Sequence, residues 1–148
     1  METRDAHRCQ ETSLPEREAL IRSVINNLPQ TIIYQIMAQP GGLRHFTYLS
    51  GAVTELFGST PEEAMADPDR IYGRFAPADR DRVAREEEIA LRDLAPFRTE
   101  LPLRLPSGRD SWIYAASAPR HREDGTVVWD GIIIDITGRK RAEQALRG

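Results

Sequence analysis

FRTELPLRLPSGRDSWIYAASAPRHREDGTVVWDGIIIDIT, residues 97–137, decides the fold. At its start Phe97, Thr99, Leu101, Leu103 and Leu105 alternate with Arg98, Glu100, Pro102, Arg104 and Pro106. A strand turns successive side chains to opposite faces, so a period of two puts the apolar set on one sheet face and the charges on the other. Pro102 and Pro106 lack the N–H a ladder needs and mark an edge or a non-bonding side. Ser107–Gly108 turns the chain into Ser111–Pro119, and Glu123–Gly125 turns it again into Thr126–Thr137. Three consecutive antiparallel strands are the expected result.

Upstream the period changes. Pro77–Leu94 has the composition of one longer surface helix, with Val83, Ala90 and Leu94 near one face and Glu86–Glu88 mostly outside. Before it come short helices: AVTELFG, STPEEAMA with Ser59 or Thr60 as cap and Pro61 in the first turn, and DPDRIYG. Thr31–Gln39 is rich in β-branched and aromatic residues, and Pro40, Gly41 and Gly42 turn it toward LRHFTYLS, which predicts a hairpin. Hairpin and meander together predict an α+β fold, a five-stranded antiparallel sheet with helices on one face.

The ends differ in kind. Residues 1–13 are polar and aperiodic and read as a flexible leader. In residues 14–28 Ile21, Val24, Ile25 and Leu28 share one helical face, and Ser13 followed by Glu16 resembles a capping box, so an amphipathic helix is expected up to Pro29. DITGRKRAEQALRG runs out in a charged helix-forming stretch, which leads to the expectation of an N-terminal segment of a longer protein, with residues 139–148 beginning a linker helix. Arg139, Ala142 and Leu146 are spaced as the start of a heptad seam, too short to establish a coiled coil.

Composition narrows the function. The chain has 148 residues, 40% hydrophobic and 29% charged, with a net charge of −3. That is one domain without the positive field that nucleic acid requires. No apolar run reaches the length of a membrane span and the N-terminus has no signal-peptide pattern, so a cytoplasmic location is expected. The lone Cys9 excludes an internal disulfide and a cysteine-built metal site. His7, His45 and His121 stand apart from one another and from carboxylates at ligand spacing, and no nucleophile–base arrangement is recognisable, so neither a metal site nor an enzyme is expected. Gly41–Gly42 sits in a hairpin and is no phosphate loop.

Three segments in this order carry a resemblance: FTYLSGAVTELFGSTPEEAMA (46–66), APADRDRV (76–83) and PSGRDSWIYAASAPRHREDGTVVWDGIIIDITGRKRAEQAL (106–146). The chain resembles a PAS domain over about Leu28–Lys140, which places the domain at residues 29–138. Ala76 stands where the family usually has His, and Gly138 where an acidic residue follows the DIT motif. The resemblance implies a sensory or dimerisation module that regulates an attached output domain, most often a histidine kinase or diguanylate cyclase and less often a transcription regulator. It also implies tests of cofactor. Haem-binding members usually use a histidine on the long helix, and Pro77–Leu94 has none; His45 would be an unusual axial ligand. The light-sensing flavin group uses a cysteine after the short helices, and DPDRIYGRFAP (67–77) has none. That group also holds its flavin with amides at positions that align with Leu103, Ile113 and Ile133, where each unsatisfied polar group would cost about 1–3 kcal/mol. Haem and photoactive flavin are thus disfavoured, and the cofactor stays unknown.

What remains is a cleft between the inward sheet face and the helices. Alternation places Leu101, Leu103, Ile113, Ala115, Ser117, Trp129 and Ile133 on that face, with Phe57, Tyr72, Phe75 and Val83 closing it from the helix side. The small Ala115, Ser117 and Gly131 leave room for a small apolar ligand, with Ser117 and Tyr72 as donors, or for Trp129 and Phe75 to fill the space as solid core. Trp112 and Tyr114 fall on the opposite face and need cover. The helix bearing Ile21, Val24, Ile25 and Leu28 can supply it, folded back on its own sheet or swapped in a parallel homodimer. By resemblance Asp135 and Thr137 relay changes to the linker, the Asp pairing with a basic group and the Thr capping the exit; Thr137 as a plain helix cap is the alternative.

Overall fold

The computed structural model describes residues 13–39 and 44–147. Residues 1–12 of the leader read at 1–13, with His7 and Cys9, the Pro40–Gly42 turn and Gly148 lie outside the described residues. The elements run α1 (Leu14–Asn26), β1 (Thr31–Ala38), β2 (Arg44–Leu49), α2 (Ala52–Phe57), α3 (Pro61–Ala66), α4 (Asp69–Tyr72), α5 (Pro77–Asp93), β3 (Phe97–Arg104), β4 (Asp110–His121), β5 (Val127–Asp135) and α6 (Thr137–Arg147).

The five strands form one antiparallel sheet in the order β2-β1-β5-β4-β3. β5 joins the two halves by pairing along all of β1, from Thr31 opposite Ile134 to Ala38 opposite Val127. β3 is an edge strand, as Pro102 requires, since proline cannot donate to a second neighbour. A bulge between Gln35 and Ile36 re-registers the β1–β2 pair, so that Tyr34 faces Leu49 while Ile36 faces Phe46.

Capping sets the short helices. Thr60, not Ser59, is the N-cap of α3, and it exchanges reciprocal hydrogen bonds with Glu63 in a capping box. Gly58 ends α2 at φ 73°, the left-handed region where a Cβ is costly. These helices and α5 pack on the inner sheet face, where Ile32, Val53, Phe57, Ile71 and Ile113 are almost free of solvent. Each such side chain contributes about 1.5–3 kcal/mol by leaving water.

Two boundaries differ from the sequence reading. α1 ends at Asn26, with Asn27 as C-cap, so Leu28 lies beyond the helix and not on its stripe. Its N-cap Ser13 does accept from the Glu16 amide, at 3.4 Å. At the other end α6 begins at Thr137, inside the span assigned to the domain. Both shifts arise because a cap is chosen by a local hydrogen bond and not by apolar spacing.

Candidate functional site

Strand register fixes the inner face. Ile32, Tyr34 and Ile36 of β1 lie opposite Ile133, Gly131 and Trp129 of β5; Ile133 and Gly131 in turn lie opposite Ala115 and Ser117 of β4. Leu101 and Leu103 of β3 face Ile113 and Ser111. The expected inward residues therefore share one face, and the structure adds the hairpin residues Tyr34, Ile36 and Phe46 to them.

A cavity of about 200 Å³ lies between this face and α4–α5. Tyr72, Phe75, Val83, Leu101, Ile113, Ala115 and Ile133 of the expected set line it; Phe57, Leu103, Ser117 and Trp129 do not. Phe57 and Leu103 are packed into solid core, and Trp129 lies under the Arg44 guanidinium, 5.7 Å from its ring centroid. The expected space over Gly131 and Ser117 is filled by neither Trp129 nor Phe75. Tyr34 occupies it: a Cβ on Gly131 would lie 2.3 Å from Tyr34 Cζ. Ser117 does not line the cavity and so is no donor to it, a correction to the sequence reading. Tyr72, the other expected donor, lines the cavity and stacks on Phe46 at 5.8 Å, with Phe46 edge-on to Tyr34.

The rim is charged. Arg44 of β2 donates to both carboxylate oxygens of Glu87 on α5, at 3.1 and 2.9 Å, and the pair ties sheet to helix at the cavity edge. Burial works against the Arg44 charge, but the Glu87 bonds outweigh it and hold its pKa above the ordinary value. Burial raises the Tyr72 phenol as well, and pushes Tyr34 up to about 12. Asp79, Arg80 and Thr99 complete the polar edge. No spacing in the sequence announces a contact between residues 44 and 87. Tyr34 and Ile36 did carry a signal, the alternation of TIIYQIMA.

On the outer face Trp112 and Tyr114 lie together as expected, but α1 is not what covers Trp112. Lys140 of α6 sits 4.7 Å from its ring centroid, and Glu100 on the neighbouring strand holds both Lys140 and Arg139. Chain continuity explains this, because α6 starts where Thr137 is bonded to Trp112. The Trp112 amide donates to Thr137 Oγ1 at 3.1 Å, and the Thr137 hydroxyl donates to Asp135 Oδ1 at 2.6 Å. Asp135 Oδ1 also accepts the Thr137 amide at 2.9 Å. Asp135 thus pairs with no basic group among the described residues and itself caps α6, while Thr137 bridges two strands. α1 lies instead over Ile33, Ala116 and Ile132, separated from them by an open groove that Ile21 and Ile25 line.

Among the described residues no group of His, Cys, Asp and Glu could hold a metal ion, and no helix is long and apolar enough to cross a membrane. His45 is exposed and pairs with Met37, one residue out of phase with the inward Phe46.

A family model described as the PAS fold matches residues 46–133. Similar solved structures include a sensory box histidine kinase/response regulator from Burkholderia thailandensis, 28% identical, covering 88% of this chain and 92% of that one at a TM-score of 0.58. A PAS domain of a Colwellia psychrerythraea protein is 18% identical over 85% of this chain and 99% of that one, with a TM-score of 0.64. The N-terminal domain of a diguanylate cyclase with PAS/PAC sensor from Marinobacter aquaeolei is 17% identical, covering 74% and 98%, with a TM-score of 0.61. Among curated proteins no match was found.

Proposed function

The chain belongs to the PAS fold family, and from that premise we propose that it is a cytoplasmic sensory module regulating an attached output domain of histidine kinase or diguanylate cyclase type. Occupancy or repacking of the cavity is read by β5 and passed through Asp135 and Thr137 into α6. The observation that carries this reading is the hydrogen-bonded chain from Trp112 through Thr137 to Asp135, which couples β4, β5 and the first turn of α6 at one point. Ile133, two residues before Asp135, lines the cavity, so a shift there has a short path to the exit helix. Catalysis belongs to the output domain in this scheme.

The test is Asp135→Ala in the full-length protein. Output activity should change while the domain stays folded, with a loss of stability no larger than that of a helix cap, about 0.5–2 kcal/mol. Unchanged output with a folded domain would remove the relay. A second reading, a ligand-free interaction module, draws support from Tyr34, which already fills the space over Gly131. Native mass spectrometry separates the two: a bound small molecule favours the sensor, a bare polypeptide mass the interaction module.

A further inference from the structure

At the cavity rim one charged group has no partner among the described residues and its neighbour has only a long one. Arg44 and Glu87 neutralise each other, but Arg80 makes no ion pair or side-chain hydrogen bond among the described residues. Asp79 has only the Arg82 guanidinium, at 4.0 Å, and Arg82 is itself bonded to Thr99 at 2.9 Å and to Glu86 at 3.3 Å. Asp79 and Arg80 are neighbours in the first turn of α5, and both line the cavity. Beneath them the lining turns apolar, with Ile36, Leu101, Ile113, Ala115 and Ile133. The volume, about 200 Å³, exceeds the roughly 150 Å³ of a protein cavity that takes benzene, and so has room for one ring or a branched chain of that size.

A ligand bearing one charge would gain from one of these groups and be repelled by the other. A ligand with both charged groups on one carbon satisfies the two together. We infer that the cavity binds a free apolar α-amino acid, with its side chain on the apolar floor, its ammonium at Asp79 and its carboxylate at Arg80. This rests on the sensor reading above and names the ligand class of the same cavity.

Calorimetric titration of the chain tests it with L-phenylalanine and L-leucine, and with three probes that each lack one part. 3-Phenylpropionate lacks the ammonium, phenethylamine lacks the carboxylate, and glycine lacks the side chain. At least one of the two amino acids should bind, with the single-charge analogues about tenfold weaker or worse and glycine silent. Asp79→Asn should weaken the amino acid without weakening 3-phenylpropionate, and Arg80→Gln should do so without weakening phenethylamine. If a single-charge analogue binds as tightly as the amino acid, the ligand class is overturned while the sensor reading stands. Absence of binding by every probe at millimolar concentration overturns it as well. The sensor reading falls separately, if Ala115→Leu, which narrows the cavity, and Asp135→Ala both leave full-length output unchanged.

Discussion

Gly131 and Tyr34 show how far one residue can dictate another. A Cβ at position 131 would come within 2.3 Å of Tyr34 Cζ and 2.5 Å of its hydroxyl, so any larger residue must push the ring off the sheet. Gly131→Ala should cost about 1–3 kcal/mol, the range for forcing extra volume into a packed site. Tyr34→Leu removes the colliding end of the ring, so the double variant should lose less stability than the two singles added together in denaturant melts. Strict additivity would show that the contact is not the cause. The same phenol makes the fold sensitive to alkali. Burial pushes Tyr34 from 10.0 up to about 12, so the native state keeps the proton where the unfolded chain has lost it. The stabilisation is therefore complete below pH 10 and is lost as pH rises through the folded value, by on the order of 3 kcal/mol. Denaturant melts between pH 9 and 12 should show a steeper decline for wild type than for Tyr34→Phe, and parallel declines would dispose of the claim.

At the scale of elements, α6 is held to the sheet by a few polar contacts around Glu100. Hydrogen bonds from Lys140 and then Arg139 keep the Glu100 carboxyl below its ordinary range. A lowered carboxylate stabilises docking above its unfolded value and ceases to do so as pH falls through the folded one. Hydrogen exchange of the α6 amides should therefore lose protection in acid in the wild type, and Glu100→Gln should show reduced protection already at neutral pH. Equal protection in the two proteins would mean that the Trp112–Lys140 stack and the Thr137 bridge hold α6 alone. This element also marks the limit of what was legible. β3, β4 and β5 were readable because each alternates over most of its length, and the inward positions from Leu101 to Ile133 follow from that period. The hairpin alternates too, but the cleft was drawn from the meander alone, and so Tyr34, Ile36 and Phe46 were missed. The Arg44–Glu87 pair and the cover on Trp112 depend on which elements meet in space, and neither leaves a spacing in the sequence. Asp135 as the cap of α6 was hidden for a related reason: its partner is the amide two residues on, a local geometry that a motif does not specify.

Over the whole molecule, the inner sheet face is closed by α2–α5 while the outer face is covered only in part. α1 buries none of its residues, and Leu14, Leu20, Ile21 and Val24 are each more than half exposed. Single exposed apolar residues are ordinary, but several on one helix form a contiguous patch of the kind that marks an interface. The chain enters and leaves the sheet at the same end: the Asp135 amide donates to the Gln30 carbonyl at 3.1 Å, next to Thr31 opposite Ile134. α1 and α6 therefore diverge from neighbouring points, and a partner packed on α1 would sit beside the junction where β5 hands over to α6. A parallel pair of α1 helices about a two-fold axis sets like residues against like and covers the stripe in both copies at once. Light scattering of the purified chain should give a dimer mass, and Ile21→Glu with Val24→Glu should give a monomer whose melting transition is retained, because neither side chain is buried within one copy. In the full-length protein the same double substitution should alter output in the way Asp135→Ala does, since both act on one end of the sheet. A wild-type monomer whose mass and output ignore the two charges would leave α1 without an interface role.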